Sequence, residues 1–489
     1  LAIPSKRVLP TFAALKELIN KIPAPIREVL ALIGEAGTEA NVPAYLVGGY
    51  VRDLLLDRIQ KPDVDVVCVG SGIEIARKTV AKLPKQPKVS FFKNFGTAQF
   101  HYEGTDYEFV GARKESYDRN SRKPVVEDGS LEDDQNRRDF TINALAIGLN
   151  GEHFQQLIDP FDGVNDLKRA LIRTPLDPDI TYSDDPLRMM RALRFSSQLG
   201  FSIDEPSLES ISRNRERIKI VSMERISVEI NKIILSPIPS IGFRKFFETG
   251  MMEIVFPEMA RLHGVETVNN KSHKDNLWHT LQVLDNLAEN TEDLWLRWSA
   301  VLHDIAKPPT KRFEKDHGWT FHGHEVVGAR MVPKIFRRLK LPLNEKMKYV
   351  QKLVNLHLRP ISLTKENVSD SAIRRLLFDA GDDIDDLMML CRADITSKNK
   401  RKVRQFLENY DMVVKKLAEV EENDRIRNWQ PPIDGELIME TFGMKPGREI
   451  GIIKNAIREA ILEGDIPNEF EAAHQFMLER GAELGLKKA

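Results

Sequence analysis

"GGYVRDLLLDRIQKPDVDVV", Gly48 to Val67, ends one apolar run with two glycines and opens the next with two aspartates. In a strand alternate residues share a face, so Asp63 and Asp65, separated only by Val64, point the same way. Two like charges held this close push one pKa upward unless a cation neutralises them. Carboxylates on one strand face can share a hard divalent cation such as Mg²⁺, which takes oxygen ligands. Metals held in this way stabilise the attacking and leaving oxygens in phosphoryl transfer. The preceding "YLVGGYVRD" sets Gly48 and Gly49 between a strand and a helix start. Glycine lets a backbone approach phosphate closely, and a helix N-terminus offers unpaired N–H groups. Arg52, one turn into that helix, can add a charge-assisted contact to the same phosphate. Taken singly, each feature has a plain alternative: a tight strand–helix turn, and a solvated strand edge.

The neighbouring sequence extends the sheet. "AYLVGG", "VDVVCVG", "KVSFF", "TAQFHYEG" and "DYEFVGA" are short runs rich in β-branched and aromatic residues, as strands require. Glu108 lies between Tyr107 and Phe109, the pattern by which a neighbouring strand brings a third carboxylate to the aspartates. Residues 10–38 read as one or two amphipathic helices ending near Gly34 and Gly37, and residues 113–139, charged and poor in apolar side chains, as a long mobile loop. From about 165 the strand signals fade into successive helices with Pro- or Gly-marked joints. The zone 266–400 holds His273, His279, His303, His317, His322, His324 and His357, seven of the eleven histidines. The expected divisions are N-terminal helices 1–38, an α/β head 39–165, a helical neck and body 166–265, a histidine-bearing helical domain 266–400 and a charged helical tail 401–489.

Composition sets the outer bounds. A chain of 489 residues is too long for one core. A formal charge of −1 means that no global positive field announces a nucleic-acid partner, although local arginine clusters stand out. Two cysteines, Cys68 and Cys391, and no CxxC fit a reducing compartment and exclude a thiolate zinc site. No run approaches the roughly 20 apolar residues of a membrane span. The expectation is a soluble cytoplasmic protein.

Two arginine-rich stretches supply the next clues. In "NRRDFTINALA" (136–146), Asp139 or Thr141 can cap a following helix, with Arg137 and Arg138 near its N-terminus to meet triphosphate or ribose. In "DDPLRMMRALRF" (184–195), Asp185, Arg188, Arg191 and Arg194 recur every three residues. On a helix such a row drifts by about 60° per step, leaving Asp185 and Arg188 as near neighbours. Aspartate accepts hydrogen bonds and arginine only donates. Cytosine and adenine each present an amino donor beside a ring-nitrogen acceptor, which this pair complements; uracil and guanine present the reverse. A bidentate contact of this kind discriminates by roughly 1–3 kcal/mol. The plain alternative is a surface ion pair worth little.

Gly-Gly followed by Asp-x-Asp resembles the active-site signature of the polymerase-β-like nucleotidyltransferase superfamily. The form "LVGGYVRDLLL…DVD" resembles its class II tRNA nucleotidyltransferases and bacterial poly(A) polymerases. "RRDFTINA", "DDPLRMMRALRF", "DPFDGVNDLKRALIRT" (159–174) and "SMERISVEINKIIL" (222–235) resemble the family's later segments in the same order, with Asp184 where many members have Glu. The resemblance implies that Asp63 and Asp65 hold Mg²⁺ and that Glu108 orients or activates the RNA 3′-hydroxyl. It implies that Gly48, Gly49, Arg52 and Arg138 hold triphosphate and ribose, that Asp185 and Arg188 select the base, and that Arg191 and Arg194 support the nucleotide. The implied partners are the tRNA 3′ end, CTP and ATP, and the implied activity is CCA addition. Bacterial poly(A) polymerases and enzymes that add only CC or only A share these motifs.

"WSAVLHDIAKP" (298–308) sets His303 beside Asp304 in an apolar helix, with His279 one helix earlier and Asp394 in "CRADIT" later. Nitrogen and carboxylate ligands together suit a transition metal, or Mg²⁺ with retained waters. The order His…HisAsp…Asp resembles the HD phosphohydrolase superfamily, with His324 and His357 matching the extra ligands of its dinuclear members; Ala306 stands where glycine is commoner. The resemblance implies a divalent metal and phosphoester hydrolysis, against a degenerate or purely structural helical domain. A phosphodiesterase or phosphatase using the head for RNA binding is the reading from a different class, and His273, His317 and His322 are expected at the surface.

Overall fold

The computed structural model describes residues 17–489 except 59–62, 93–95, 117–124, 270, 364–368, 397–399 and 425–429. The chain divides into two compact units, Leu1–Pro257 and Glu258–Ala489. Among the described residues no helix is long and apolar enough to cross a membrane.

The first unit opens with helix α1 (Ala24–Ala40), which runs through Gly34 and Gly37 and ends at Asn41 in the left-handed conformation. The glycines are therefore packing positions and not stops: a Cβ on Gly34 would lie 2.3 Å from the Leu149 carbonyl oxygen, and one on Gly37 2.5 Å from the Asn150 amide nitrogen. The following elements are β1 (Ala44–Val47), α2 (Gly49–Leu55), β2 (Asp63–Cys68), α3 (Gly72–Lys82), β3 (Ser90–Phe92), β4 (Thr97–Tyr102) and β5 (Thr105–Gly111). With β8 (Ala146–Gly148) and β9 (Leu157–Ile158) they make a seven-stranded mixed sheet in the order β3-β4-β5-β2-β1-β8-β9. Every run read as a strand in this part of the sequence is one.

The register matters most at β2 and β5, the parallel pair, where Val64 faces Tyr107 and Val66 faces Phe109, all four buried. The alternate residues, Asp63 beside Asp106 and Asp65 beside Glu108, occupy the other face. A period of two thus sorts the strands into an apolar face and a carboxylate face.

Two sequence expectations are corrected here. Within 113–139, β6 (Arg113–Ser116) and β7 (Val125–Asp128) form an antiparallel hairpin, followed by α4 (Leu131–Asn136); residues 117–124 lie outside the described part. Ser130 and Asp133 close a capping box on α4, a start signal that the low apolar content obscured. No α-helix follows Asp139: Thr141–Asn143 is a single 3₁₀ turn leading into β8. Every residue from 139 to 150 is buried, and periodicity does not separate a fully buried strand from a buried helix.

The rest of the unit is chiefly helical. After α5 (Gly163–Arg169) come α6 (Pro178–Asp184) and α7 (Leu187–Leu199), which packs against α8 (Met223–Ile234) and α9 (Pro239–Glu248). Asp185 lies ahead of α7 in extended conformation, because Pro186 disfavours helical geometry in the residue before it.

Among the described residues the second unit is helical apart from two short hairpins. Its α10 (Asn276–Ala288), α11 (Leu294–Leu302), α12 (His324–Arg338), α13 (Glu345–Leu356) and α14 (Ile384–Asp394) bury Trp298, Phe336 and a leucine-rich core. Asp275 and Asp293 cap the first two through their carboxylates. The helices Lys400–Asp424, Gly435–Phe442, Arg448–Glu463 and Phe470–Glu483 make the tail.

Candidate active sites in the two units

Gly48 joins β1 to α2 at φ +76° and ψ −137°, a conformation open to glycine and costly for other residues. A Cβ there would stand 3.0 Å from Arg138 Nη1 and 3.5 Å from Asp65 Oδ2. The glycine turn, the second aspartate and the motif arginine therefore meet at one point. Burial first, and Asp63 second, push the Asp65 carboxyl up to about 7 against the opposing Arg138 charge. Burial and Asp106 raise Asp63, while burial and Asp63 raise Glu108. These raised carboxyls lie in register on adjacent strands, a set of oxygen ligands that Arg138 and Arg113 only partly neutralise. That chemistry fits a divalent cation with oxygen ligands.

Arg138 reaches this point from the end of α4, not from a helix N-terminus. Its Nε donates to Asp134 Oδ2 at 3.0 Å, and its Nη1 to the Asn143 carbonyl at 3.2 Å. Asp134 is fully buried and also pairs with Arg137. Their charges outweigh the upward pull of burial and keep its carboxyl below the ordinary range.

Arg52 is buried and turned inward. Its Nη1 donates to Asn143 Oδ1 at 2.8 Å, its Nε pairs with Asp53, and its guanidinium lies 4.9 Å from the Phe195 ring centroid. Gly49, at the start of α2, has the Arg52 Nη2 3.6 Å from where its Cβ would be. The structure thus gives Arg52 a bracing position beneath the glycine turn.

A cavity of about 410 Å³ is lined by Arg137, Arg138, Asp185, Arg188, Arg191 and Glu229, among others. Asp185 and Arg188 share it, although a loop and a first helical turn bring them together rather than one helix. Arg188 Nη2 donates to the Arg137 carbonyl at 2.5 Å and Nη1 to the Thr181 carbonyl at 3.3 Å, fixing the guanidinium from two sides. Arg191 Nε donates to Asp139 Oδ2 at 2.6 Å. Arg194 lies beneath the cavity wall, buried and 3.2 Å from Glu229 Oε2; burial brings it down to about 10, so it stays charged at neutral pH. Arg52, Arg191 and Arg194 all lie against the Phe195 ring, at 4.9, 5.4 and 4.0 Å. Glu108 and Arg137 also line a smaller neighbouring cavity of about 280 Å³ with Arg113.

Sequence reasoning missed the supports: Asp134, Asn143, Phe195 and Glu229. For Asp134 the signal was present, since Ser130-x-x-Asp133 announces a helix on which Asp134 stands three and four residues before the two arginines.

In the second unit His279, His303 and Asp304 form one cluster of converging ligand atoms, and Asp304, His324 and His357 another. Asp304 belongs to both. Its Oδ2 lies 3.3 Å from His303 Nε2 and 3.5 Å from His279 Nε2, while its Oδ1 lies 3.2 Å from His324 Nε2 and 3.9 Å from His357 Nε2. Asp394 Oδ1 is 2.9 Å from His279 Nε2 and 3.7 Å from His303 Nε2. The other ring nitrogens are accounted for. Nδ1 of His303, His324 and His357 faces the carbonyls of Ala300, Phe321 and Val354 at 2.7, 2.8 and 2.7 Å, and His279 Nδ1 faces Thr396 Oγ1 at 2.8 Å. A carbonyl accepts only from N–H, so in their neutral state these three histidines carry the proton on Nδ1 and aim the Nε2 lone pair inward, as histidines that ligate a metal do.

Burial depresses the His303 imidazolium, but Asp304 and Asp394 outweigh it and carry it up to about 10. Burial and His303 bring His357 down to about 4. Burial would raise Asp304, but His303 and Lys307 hold it well below the ordinary range. His303 Nε2 is buried and makes no hydrogen bond. An orphaned ring nitrogen among two carboxylates and three imidazoles fits a divalent metal. Of the remaining histidines, His317 and His322 are exposed, whereas His273 is half-buried, edge-on to Trp319 and Phe321.

The fold and these sites define a nucleotidyltransferase head joined in one chain to a metal-site helical domain. The family models that match are the poly A polymerase head domain over residues 44–173, the probable RNA and SrmB-binding site of polymerase A over 200–262, and the HD domain over 277–399. An A-adding tRNA nucleotidyltransferase of Deinococcus radiodurans is 31% identical over 356 residues, 70% of this chain and 78% of that protein. A CCA-adding enzyme of Lactobacillus helveticus is 40% identical over 240 residues, 47% of this chain and 55% of that protein. The Bacillus stearothermophilus CCA-adding enzyme, solved in complex with CTP, shares the fold at a TM-score of 0.66 and 23% identity, over 95% of this chain and 99% of that one. The chain belongs to the tRNA nucleotidyltransferase and poly(A) polymerase family, with an HD domain in its C-terminal half. The resemblance seen in "GGYVRD…DVD" is borne out.

Proposed function

We propose that the head adds C and A to tRNA 3′ ends from CTP and ATP without a nucleic-acid template, completing CCA. The observation that carries this reading is the shared cavity of Asp185 and Arg188 beside Arg138, which in turn meets Gly48 and Asp65. Asp63 and Asp65 would hold Mg²⁺, which neutralises charge on the triphosphate and the attacking oxygen. The raised Glu108 carboxyl makes a better base than an ordinary carboxylate, suiting it to take the 3′-hydroxyl proton. The 3′ oxygen bonds to the α-phosphorus, the bond to the bridging oxygen breaks, and pyrophosphate leaves. Gly48, Gly49 and Arg138 line the triphosphate and ribose, with Arg52 bracing the turn from below. Asp185 accepts from the amino group of C or A, and Arg188 donates to the adjacent ring acceptor.

A second reading, addition of A alone, is favoured by the Deinococcus radiodurans relative, whose match covers more of this chain than the Lactobacillus helveticus one. Purified protein given tRNAs ending before CCA, after C and after CC, with each nucleotide in turn, distinguishes them by product length. Growth only on the CC-ending tRNA supports A addition, stepwise growth on all three supports CCA, and long A tails overturn both.

For the second unit we propose a metal-dependent phosphohydrolase. His279, His303, Asp304, His324, His357 and Asp394 would hold the metal, which supplies an activated water for attack on a phosphoester.

A further inference from the structure

We propose that Phe195 is a positioning residue for nucleotide addition: its ring locks the helix that carries Arg188 to the glycine-turn helix, so that accepting the base also aligns the α-phosphate for attack. The inference rests on the nucleotide-addition reading of the head.

Three guanidiniums lie over this one ring. Those of Arg194, Arg52 and Arg191 stand 4.0, 4.9 and 5.4 Å from its centroid, within the roughly 6 Å over which an aromatic face attracts a cation. Phe195 is buried and meets the Phe140 ring edge-on at 5.7 Å. Each guanidinium also has a carboxylate of its own: Arg52 pairs with Asp53, Arg191 with Asp139 and Arg194 with Glu229. The cations therefore gather without an excess of charge, and the ring is the group that all three share.

These arginines come from two sides of the site. Arg52 lies in α2, with its Nη2 3.6 Å from where a Gly49 Cβ would stand. Arg191 and Arg194 lie in α7, and Arg191 lines the cavity that Asp185 and Arg188 share. A second contact repeats the docking further along. Arg58, just beyond the end of α2, donates from Nη1 to the Leu199 carbonyl at 3.3 Å. Leu199 ends α7, where carbonyls lack intrahelical partners and a cation suits the helix dipole. Arg52 and Arg58 thus hold the glycine-turn segment to α7 at Phe195 and, one turn on, at Leu199.

The base and the phosphates of one nucleotide are gripped on opposite sides of this joint. A displacement of about 1 Å between reacting atoms costs on the order of a hundredfold in rate. With the joint rigid, a base accepted by Asp185 and Arg188 brings its α-phosphate into line. With the joint loose, the base still binds and the alignment is lost. The loss falls on kcat, and most on the correct nucleotides, because a rejected base is misaligned already.

The test uses the full chain with Mg²⁺, tRNAs ending before CCA and after CC, and each nucleoside triphosphate in turn. Phe195 is replaced by 4-fluoro- and by 3,4,5-trifluorophenylalanine, which keep the shape of the ring while withdrawing negative charge from its face. Phe195→Leu keeps apolar bulk alone. Rates are compared at a temperature where circular dichroism shows each variant folded. The expected result is a kcat for the correct nucleotides that falls with added fluorine, by roughly tenfold at three, with KM within about threefold of wild type. The ratio of correct to incorrect incorporation should fall with it, and Phe195→Leu should lose at least as much. Should Phe195→Leu not fold, the fluorinated series decides. Turnover indifferent to fluorine, or a rise in KM alone, overturns the proposal, because a ring that only filled the core would tolerate the change of charge. Failure of the nucleotide-addition reading has a separate signature: wild type would extend neither tRNA, and the proposal would fall with it.

Discussion

Arg191 Nε donates to Asp139 Oδ2 at 2.6 Å, which ties the helix Leu187–Leu199 to the buried turn after the motif arginines. Asp139 Oδ1 also accepts from Asn143, whose own oxygen accepts from Arg52. One buried carboxylate thus links the glycine-turn region to the cavity that Asp185 and Arg188 line. Burial would raise it, but Arg191 and Asn143 bring it down to about 2. An unfolded aspartate titrates near ~4, so the stabilisation is present above that pH and is lost as pH falls through about 2. Asp139→Asn should cost roughly 3–5 kcal/mol at pH 7 by leaving Arg191 without its charge partner. Denaturant unfolding at pH 7 and pH 3 checks this, since the gap from wild type should narrow at the lower pH.

Gly48→Ala acts differently. The backbone at φ +76° resists any side chain, and the new Cβ meets Arg138 Nη1 at 3.0 Å. The expected stability loss is about 1–3 kcal/mol. Nucleotide incorporation should fall well beyond what that loss explains, since Arg138 must move from Asp65. An incorporation assay at a temperature where the variant is fully folded separates the two effects, and near-wild-type rates would show that Arg138 need not stand there.

Asp65→Asn tests the carboxylate face by stability as well as activity. Because the folded carboxyl is carried up to about 7, the folded chain retains a proton that the unfolded chain releases near ~4. Without Mg²⁺, Asp65 therefore favours folding fully below about pH 4 and loses that contribution as pH rises to about 7. At pH 8 the variant should be the more stable protein, by on the order of 2 kcal/mol after allowance for solvent. It should bind tRNA and incorporate no nucleotide. Added Mg²⁺ should raise the melting temperature of wild type more than that of the variant.

Arg188→Ala removes a guanidinium held by the Arg137 and Thr181 carbonyls. Incorporation of UTP and GTP relative to CTP and ATP should rise by about tenfold or more, the equivalent of losing one base-edge contact. An unchanged preference would place base reading on other cavity residues.

The legibility of the chain follows the range of the interactions involved. Asp63 and Asp65 were readable because strand alternation is local, and the register with Asp106 and Glu108 then followed from ordinary sheet pairing. His279, His303, Asp304, His324, His357 and Asp394 were readable as an ordered set, and helix packing brings their ligand atoms together. The helix expected after Asp139 failed because a wholly buried segment carries no periodicity. The inward turn of Arg52 was invisible because its partners Asn143 and Phe195 lie 91 and 143 residues away in sequence and carry no local pattern. Likewise Lys307 was one lysine among many until its ammonium was found on Asp304.

The double variant His303→Ala, Asp304→Ala tests whether the two chemistries are separable. The chain forms two compact units, and every ligand of the histidine cluster lies in the second, while Asp63, Asp65, Arg138, Asp185 and Arg188 lie in the first. Removing both side chains takes away the imidazole raised to about 10 and the carboxylate shared by the two ligand clusters. Lys307 then loses its partner, and the Nε2 atoms of His324 and His357 lose the oxygen they face. Metal-dependent phosphoester hydrolysis should disappear, by at least about a hundredfold, because no nucleophile is generated without the metal. Nucleotide incorporation into tRNA should stay within about twofold of wild type, since sites that share no partners behave additively. Both are measured on the same preparation, with calorimetry showing whether the first unit's unfolding transition is unchanged. Loss of incorporation with that transition intact would mean that the second unit contributes to nucleotide addition itself.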